Sequence, residues 1–178
     1  GLDDVITRYL PEGSSIWPGV TIRHLLTHTS GVSDQSLDTL DFRKDYTEEE
    51  LVRLAAAQPL LFEPGASYSY SSTGYTLLGI ILHRVTGEFY GDLLRDRIFR
   101  PLGMRAARIN SDTAIVPNRS AGYRFEHGTL KNRDWASPTL SATADRGLSL
   151  SASDLSQWAV ALNHGKPLGP AGLQTSWT

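Results

Sequence analysis

Helix start and stop signals recur along this chain and constrain its fold more than any other feature. Thr21 can cap a short helix that Gly31 ends, and Thr47 forms a capping box with Glu50 at the start of a second helix. A fourth helix is predicted over about residues 88–99, where a proline two positions later stops it. The chain therefore favours a mainly α unit.

The third predicted helix follows a turn that is rich in hydroxyl groups. Ser71 or Ser72 can cap this helix, and Gly87 lies just past its end. Its large side chains recur at helical spacing and predict one apolar face, made of Tyr75, Leu78, Ile81, Leu82 and Val85. The hydroxyl-rich turn is therefore expected directly before an amphipathic helix.

Residues 105–150 carry few helix signals and many Asn, Ser, Asp, Gly and Thr residues. We expect long loops there, with one small hairpin whose turn is made by His127 and Gly128. A fifth helix is predicted to begin at Ser151 with Asp154. The irregular stretch thus lies between the fourth and fifth helices of one unit.

The composition excludes several classes of function. The 178 residues are enough for one domain and carry a formal net charge of −2 without a cluster of Lys or Arg, so nucleic acid is not an expected partner. There is no cysteine, which excludes disulfides, thiolate catalysis and thiolate metal sites. No apolar run approaches the roughly 18 residues of a membrane span. Secreted, periplasmic and cytoplasmic locations all stay open.

The stretch YSYSSTGYTLLG, residues 68–79, raises the question of a tyrosine that acts as a base. A phenol does so near neutrality only where cations stabilise the phenolate or a partner shuttles its proton. Unpaired N–H groups and the dipole at the start of the helix would favour negative charge on Tyr70. The alternative is that these tyrosines and serines are cap and packing residues.

Two histidines suggest a metal site only weakly. His24 and His28 lie four residues apart, which places two imidazoles on one face of a helix. The glutamate of an H-E-x-x-H motif is missing, and no third ligand is apparent. We therefore expect no metal and no cofactor. The favoured alternative is that His28 and Thr29 bond backbone groups that close the helix.

The sequence offers no nucleophile for Tyr70 to activate. It contains no G-x-S-x-G motif and no S-x-x-K pair, because the residues three before the lysines are Asp41, Gly128 and Asn163. A Ser-His-Asp triad assembles in space and leaves no linear signature, so that alternative stays open.

Four stretches, taken in order, resemble one known family. They are LDDVITRYLP, TIRHLLTHTSGV, the run from Phe62 through Gly103, and DRGLSLSASDLSQWAVALNHGKPL. Their order and spacing resemble the middle of a serine β-lactamase-related protein, from the group of class C β-lactamases, DD-peptidases and β-lactamase-like esterases. The resemblance runs nearly end to end.

The resemblance implies a fold and part of a site. The fold would be the helical domain of the β-lactamase/transpeptidase-like fold, with long loops and a small hairpin, lacking most of the α/β sheet domain. Of the family motifs S-x-x-K, Y-x-N and K-T-G or H-x-G, only Y-x-N has a counterpart, Tyr70-Ser71-Ser72. Tyr70 would be the catalytic proton-transfer residue, and Ser72 would be substrate-binding in place of the asparagine. The other two motifs are expected before Gly1 and after Thr178.

These implications lead to a functional expectation. Residues 1–178 would be one segment of a serine hydrolase whose full-length parent forms an acyl-enzyme on esters, β-lactams or peptidoglycan-type amides. The segment alone is expected to be inactive, and a small-molecule ester or lactam is the expected partner of the parent. The alternative is a non-catalytic helical domain that binds a ligand or a protein. A helical domain without its sheet should also expose an apolar face and self-associate.

Overall fold

Helices and loops make up most of the computed structural model, which describes residues 1–34, 40–111, 114–166 and 168–177. Two short 3₁₀ helices come first, Ile6–Arg8 and Pro11–Gly13. The α-helices are α1 Ile22–Leu26, α2 Glu48–Ala56, α3 Ser72–Thr86, α4 Tyr90–Leu94, α5 Pro138–Ser141, α6 Ala152–Asn163 and α7 Gly169–Trp177. The strands are β1 Arg108–Ile109, β2 Tyr123–Glu126, β3 Thr129–Asn132 and β4 Leu148–Ser149. No helix among these residues is long and apolar enough to cross a membrane.

The helix starts lie where the capping signals predict them. Thr21 accepts a hydrogen bond from the backbone N–H of His24, whose Nδ1 accepts the N–H of Thr21 in return. Thr47 and Glu50 form the predicted capping box at α2. The helix expected over 88–99 is α4, which continues as a wider π-type turn over Arg95–Phe99. Local spacing alone is enough to locate these ends, because each cap joins residues three apart.

Helix α3 begins and ends as predicted, but its buried face matches the predicted apolar face only in part. Ser71 is the N-cap and Gly87 adopts a left-handed conformation at the other end. The buried positions of α3 are Thr73, Gly74, Thr76, Leu77, Gly79, Ile80 and Ile81. Of the predicted apolar face, Ile81 is buried, whereas Leu82 and Val85 are 45% and 59% exposed. The face differs at these two positions because threonines and glycines line much of the buried side, and Gly79 lets Ala144 approach closely.

The main core lies between the amino-terminal segment, α1, α2 and α3. Trp17 is fully buried there, together with Leu25, Val52 and Leu77. The far end of α3 is tied to the same segment, because Arg84 donates two hydrogen bonds to the Glu12 carboxylate and one to the Tyr9 carbonyl. Helix α3 is therefore fixed along its length against the first part of the chain.

The irregular segment contains the predicted hairpin. Strands β2 and β3 pair antiparallel, and both turn residues, His127 and Gly128, have positive φ, as a type I′ turn requires. Strands β1 and β4 form a second antiparallel pair, which the sequence did not predict. The fifth predicted helix is α6, with Ser151 and Asp154 in a capping box at its start. Helix α7 was not predicted.

Candidate functional site

The hydroxyl-rich turn, residues 68–73, is held against a loop that follows α1. This loop, residues 28–34, is called the clamp segment below. Its backbone carbonyls accept three backbone N–H groups from the chain around the turn: Ser69 to His28 at 3.0 Å, Gly65 to Thr29 at 2.8 Å and Leu61 to Gly31 at 2.8 Å. Backbone hydrogen bonds therefore connect the clamp segment to residues 61–69, which lead into the turn.

Asp34 connects the clamp segment to the start of α3. Its Oδ1 accepts the Ser71 hydroxyl at 3.1 Å and the Thr73 N–H at 2.8 Å, and its Oδ2 accepts the Ser72 N–H at 2.9 Å. The Ser71 hydroxyl oxygen in turn accepts the Gly74 N–H at 3.0 Å. All N–H groups of the first three helical residues are thus bonded to side chains.

This arrangement changes the electrostatics expected around Tyr70. The sequence predicted unpaired N–H groups at the start of α3 that would favour a phenolate. That expectation was wrong, because the Asp34 carboxylate already accepts two of these N–H groups and places its own negative charge at the positive end of the helix. The helix end therefore gives Tyr70 no free donor.

Tyr70 itself is 61% exposed, and its ring packs against His28. The two ring centroids lie 4.6 Å apart with the planes tilted by 34°. On the same imidazole, Tyr75 stacks at 5.1 Å and donates its hydroxyl to the Leu26 carbonyl at 3.1 Å. Burial, and secondarily the neighbouring Tyr70, raise the pKa of Tyr75. Tyr75 is therefore a neutral packing residue, while the Tyr70 hydroxyl is left accessible.

His28 contacts both the ring and the backbone of the turn. Its Nδ1 accepts the Ser71 N–H at 3.2 Å, and its own backbone is in the left-handed region with φ of 57°. A non-glycine residue in that region is uncommon and usually has a local reason. Here the reason is the turn that brings the imidazole between Tyr70 and Tyr75.

Ser72, the predicted substrate-binding residue, is the first residue of α3. Its backbone N–H is bonded to Asp34, and its side chain is half-buried. Tyr70 and Ser72 thus flank the N-cap Ser71, whose side chain is fully engaged. The structure brings the two predicted residues together on one turn, and their catalytic and binding roles stay predictions.

The two histidines of the predicted helix face use their Nδ1 atoms elsewhere. His24 Nδ1 accepts the Thr21 N–H, and His28 Nδ1 accepts the Ser71 N–H. Across the described ranges, no group of three or more His, Cys, Asp or Glu side chains is placed to hold a metal ion. The backbone N–H groups of His28 and Thr29 close α1 by bonding the Leu25 and His24 carbonyls, as predicted.

Two cavities open elsewhere on the molecule. One, of about 470 Å³, lies beside Ser151 and Asp154 at the start of α6. The other, of about 380 Å³, lies beside Leu51 and Ile80 of α2 and α3. Neither is lined by the hydroxyl-rich turn.

Sequence reasoning missed Asp34. Its partners lie 37 to 39 positions further along the chain, beyond the reach of any local capping pattern. One indirect signal was available, because α3 has no acidic residue in its first turn. A long helix without such a residue has N–H groups that another part of the chain can cap.

Comparison with known proteins places this chain in a family. The family model described as Beta-lactamase matches residues 1–178. The chain belongs to the beta-lactamase family. The sequence resemblance to a serine β-lactamase-related group is thereby confirmed.

Relatives of this beta-lactamase-family chain carry several names. It is 32% identical over 164 residues to D-aminopeptidase of Brucella anthropi. The aligned region covers 88% of the chain and 30% of that protein. It is 39% identical over 124 residues to Esterase EstB of Burkholderia gladioli. The aligned region covers 58% of the chain and 31% of that protein. The chain thus spans about one third of the length of these relatives.

Solved structures share its fold. The penicillin binding protein from Bacillus halodurans matches with a TM-score of 0.84 at 25% identity, over 100% of this chain and 56% of that one. This likeness confirms the predicted β-lactamase/transpeptidase-like fold. The more detailed prediction, a helical domain that lacks most of the α/β sheet domain, stays a prediction.

Proposed function

We propose that this beta-lactamase-family chain is one segment of a serine hydrolase that forms an acyl-enzyme on esters, β-lactams or peptidoglycan-type amides. The observation that carries the proposal is the Tyr70-Ser71-Ser72 turn, in which the exposed Tyr70 precedes the half-buried Ser72 at a helix start held by Asp34. Relatives named as an aminopeptidase and an esterase support the reaction class.

The proposed reaction uses the Tyr70 phenolate to move one proton in acylation and a second proton, from water, in deacylation. A serine outside residues 1–178 attacks the substrate carbonyl while its hydroxyl proton passes to the Tyr70 oxygen. The tetrahedral intermediate then breaks its bond to the leaving group, which takes that proton and departs. Water attacks the resulting acyl-serine ester by the same route and releases the acid and the free serine.

Tyr70 needs help from a cation to act in this way. Among the described residues, no lysine or arginine forms a hydrogen bond or a ring contact with Tyr70. The Asp34 carboxylate at the helix start adds negative charge nearby. These observations support the proposal that residues 1–178 alone are inactive and that the cation and the nucleophile belong to other parts of a longer chain.

Ser72 bears on the choice of substrate. Its hydroxyl can donate one hydrogen bond, whereas the asparagine of a Y-x-N motif offers two N–H donors and a longer reach. We therefore infer that ester substrates are accepted more readily than amides.

The second candidate is a non-catalytic helical domain that binds a ligand or another protein. It is favoured by the absence of any serine three residues before Lys44, Lys131 or Lys166. Exposed apolar side chains on α3, Leu82 and Val85, support the further proposal that the chain self-associates. Small-molecule esters or lactams remain the partners proposed for the hydrolase, and nucleic acid is not among them.

The two candidates are separated by the intact mass of the protein after incubation with a penicillin and, separately, with an activated short-chain ester. We expect no adduct on residues 1–178 and one acyl group on a chain extended at both ends to include an S-x-x-K motif. The matched control is the extended chain with the serine of that motif replaced by alanine. No adduct on the folded, extended chain would favour the binding domain, and an adduct on residues 1–178 alone would refute the inactive segment.

A further inference from the structure

The clamp segment contacts the proposed catalytic turn through backbone hydrogen bonds, side-chain hydrogen bonds and a ring contact. The His28 ring packs against the Tyr70 ring in a tilted arrangement, and its Nδ1 accepts the N–H of the next residue, Ser71. Asp34 accepts hydrogen bonds from the three residues that follow Tyr70. These two side chains leave the turn few alternative conformations.

We propose that Asp34 is a positioning residue for Tyr70, an inference that rests on the proposed function of that tyrosine. Asp34 has no direct contact with the Tyr70 side chain. It acts through the Ser71 hydroxyl and the backbone N–H groups of Ser72 and Thr73, which it holds at the point where the chain turns from Tyr70 into α3.

The geometry gives the carboxylate a role that a single cap does not have. Ser71 already caps α3 by accepting the Gly74 N–H, so the helix has a local N-cap without Asp34. The three bonds to Asp34 add constraints on consecutive residues, and both carboxylate oxygens are needed to make them. Hydrogen bonds to a charged acceptor are also stronger than neutral ones.

A second carboxylate in the chain makes the same kind of contact with a different segment. Asp45 accepts the backbone N–H and the hydroxyl of Thr139 at 3.3 and 2.9 Å, near the start of α5. Asp45→Asn is therefore a matched control for Asp34→Asn, because both changes weaken a carboxylate cap and only one touches the turn.

The first test uses the 178-residue chain and needs no catalysis. The protein is labelled with 3-fluorotyrosine, and the Tyr70 signal among the seven tyrosines is assigned by its loss in Tyr70→Phe. We expect Asp34→Asn to shift or broaden the Tyr70 fluorine resonance, and Asp45→Asn to leave it unchanged. An unchanged Tyr70 resonance in folded Asp34→Asn would overturn the proposal. Should that variant fail to fold, Asp34→Glu keeps the charge, displaces the carboxylate and leaves the Ser71 cap in place, and it is judged in the same way.

The second test measures ester hydrolysis by the extended chain. Small displacements of a catalytic group cost up to about 10²-fold in rate, so we expect Asp34→Asn to lower kcat by about 10-fold to 100-fold and to leave KM within about 3-fold. Assays well below the melting temperatures of both variants keep a loss of stability from mimicking this result. Equal kcat in Asp34→Asn and Asp45→Asn would refute the positioning role.

Failure of the proposed function has a different outcome. If Tyr70→Phe keeps full activity in the extended chain, then Tyr70 does not transfer the proton and its proposed role is overturned. The fluorine measurement still decides whether Asp34 sets the conformation of the turn, because it does not depend on turnover.

Discussion

Gly31 is the position where a single methyl group should disturb the clamp segment most. Its φ is +75°, and a Cβ built there lies 2.4 Å from the Phe62 carbonyl oxygen. Atoms at that distance overlap. Because the neighbouring atom belongs to the backbone, the segments around Gly31 and Phe62 must move apart. We therefore expect Gly31→Ala to destabilise the protein through both strain and overlap.

The two contributions can be separated with a second glycine. Gly87 has a φ of +73° and no atom within 4 Å of its Cβ position. Gly87→Ala should therefore cost only the left-handed strain, about 1–2 kcal/mol. Gly31→Ala should cost the same strain and an overlap of about 1–3 kcal/mol. The difference between the two variants measures the overlap.

Urea unfolding followed by tryptophan fluorescence provides the assay, with Trp17 as a fully buried probe. Both variants should show the m-value of the unsubstituted chain, so that midpoints report stability alone. If Gly31→Ala is no less stable than Gly87→Ala, the close approach of the clamp segment to Phe62 is not a feature of the folded protein.

Two further predictions concern acid stability and association. Burial raises the pKa of Asp154, but hydrogen bonds from Ser151 and Ala106 lower it by more than burial raises it. The folded pKa of Asp154 is therefore below the ordinary 3.8. Because the folded pKa is depressed, the contribution of Asp154 to stability is complete above the unfolded pKa and is lost as the pH falls through the folded pKa. The urea concentration at the unfolding midpoint should therefore decrease once the pH is below about 4. This decrease should be less steep in Asp154→Asn. The exposed Leu82 and Val85 should bind a hydrophobic dye and promote self-association. Dye binding and self-association should both be weaker in the Leu82→Gln, Val85→Gln double variant. A chain that is monomeric at sedimentation equilibrium and binds no dye would contradict this prediction.

The sequence predicted those features that depend on neighbours a few residues apart. The caps at Thr47 and Ser151 and the turn at His127 belong to this class, since each is set by local hydrogen bonds or φ values. The buried face of α3 was predicted only in part, because hydroxyl and glycine residues there carry no apolar signal. Residue chemistry made Tyr70 a candidate base but left a packing role open; the resemblance to a family favours the catalytic role, which stays a prediction.

Asp34 illustrates the limit of such reasoning. Nothing in its immediate sequence distinguishes it from a solvated surface carboxylate. Its importance depends on the pairing of the clamp segment with a turn more than 30 residues away. Only the folded chain shows which helix this carboxylate caps.

The long separation between the clamp segment and the turn also affects how the protein folds. The bonds from Ser71 to His28 and from Ser72 to Asp34 join residues 43 and 38 positions apart. Closing a loop of that length costs chain entropy before any contact repays it, and contacts of high sequence separation slow folding. The turn around Tyr70 should therefore gain its final shape late, together with the core around Trp17. A peptide that contains only residues 60–90 would keep the helix signals of α3 but not the conformation of the turn.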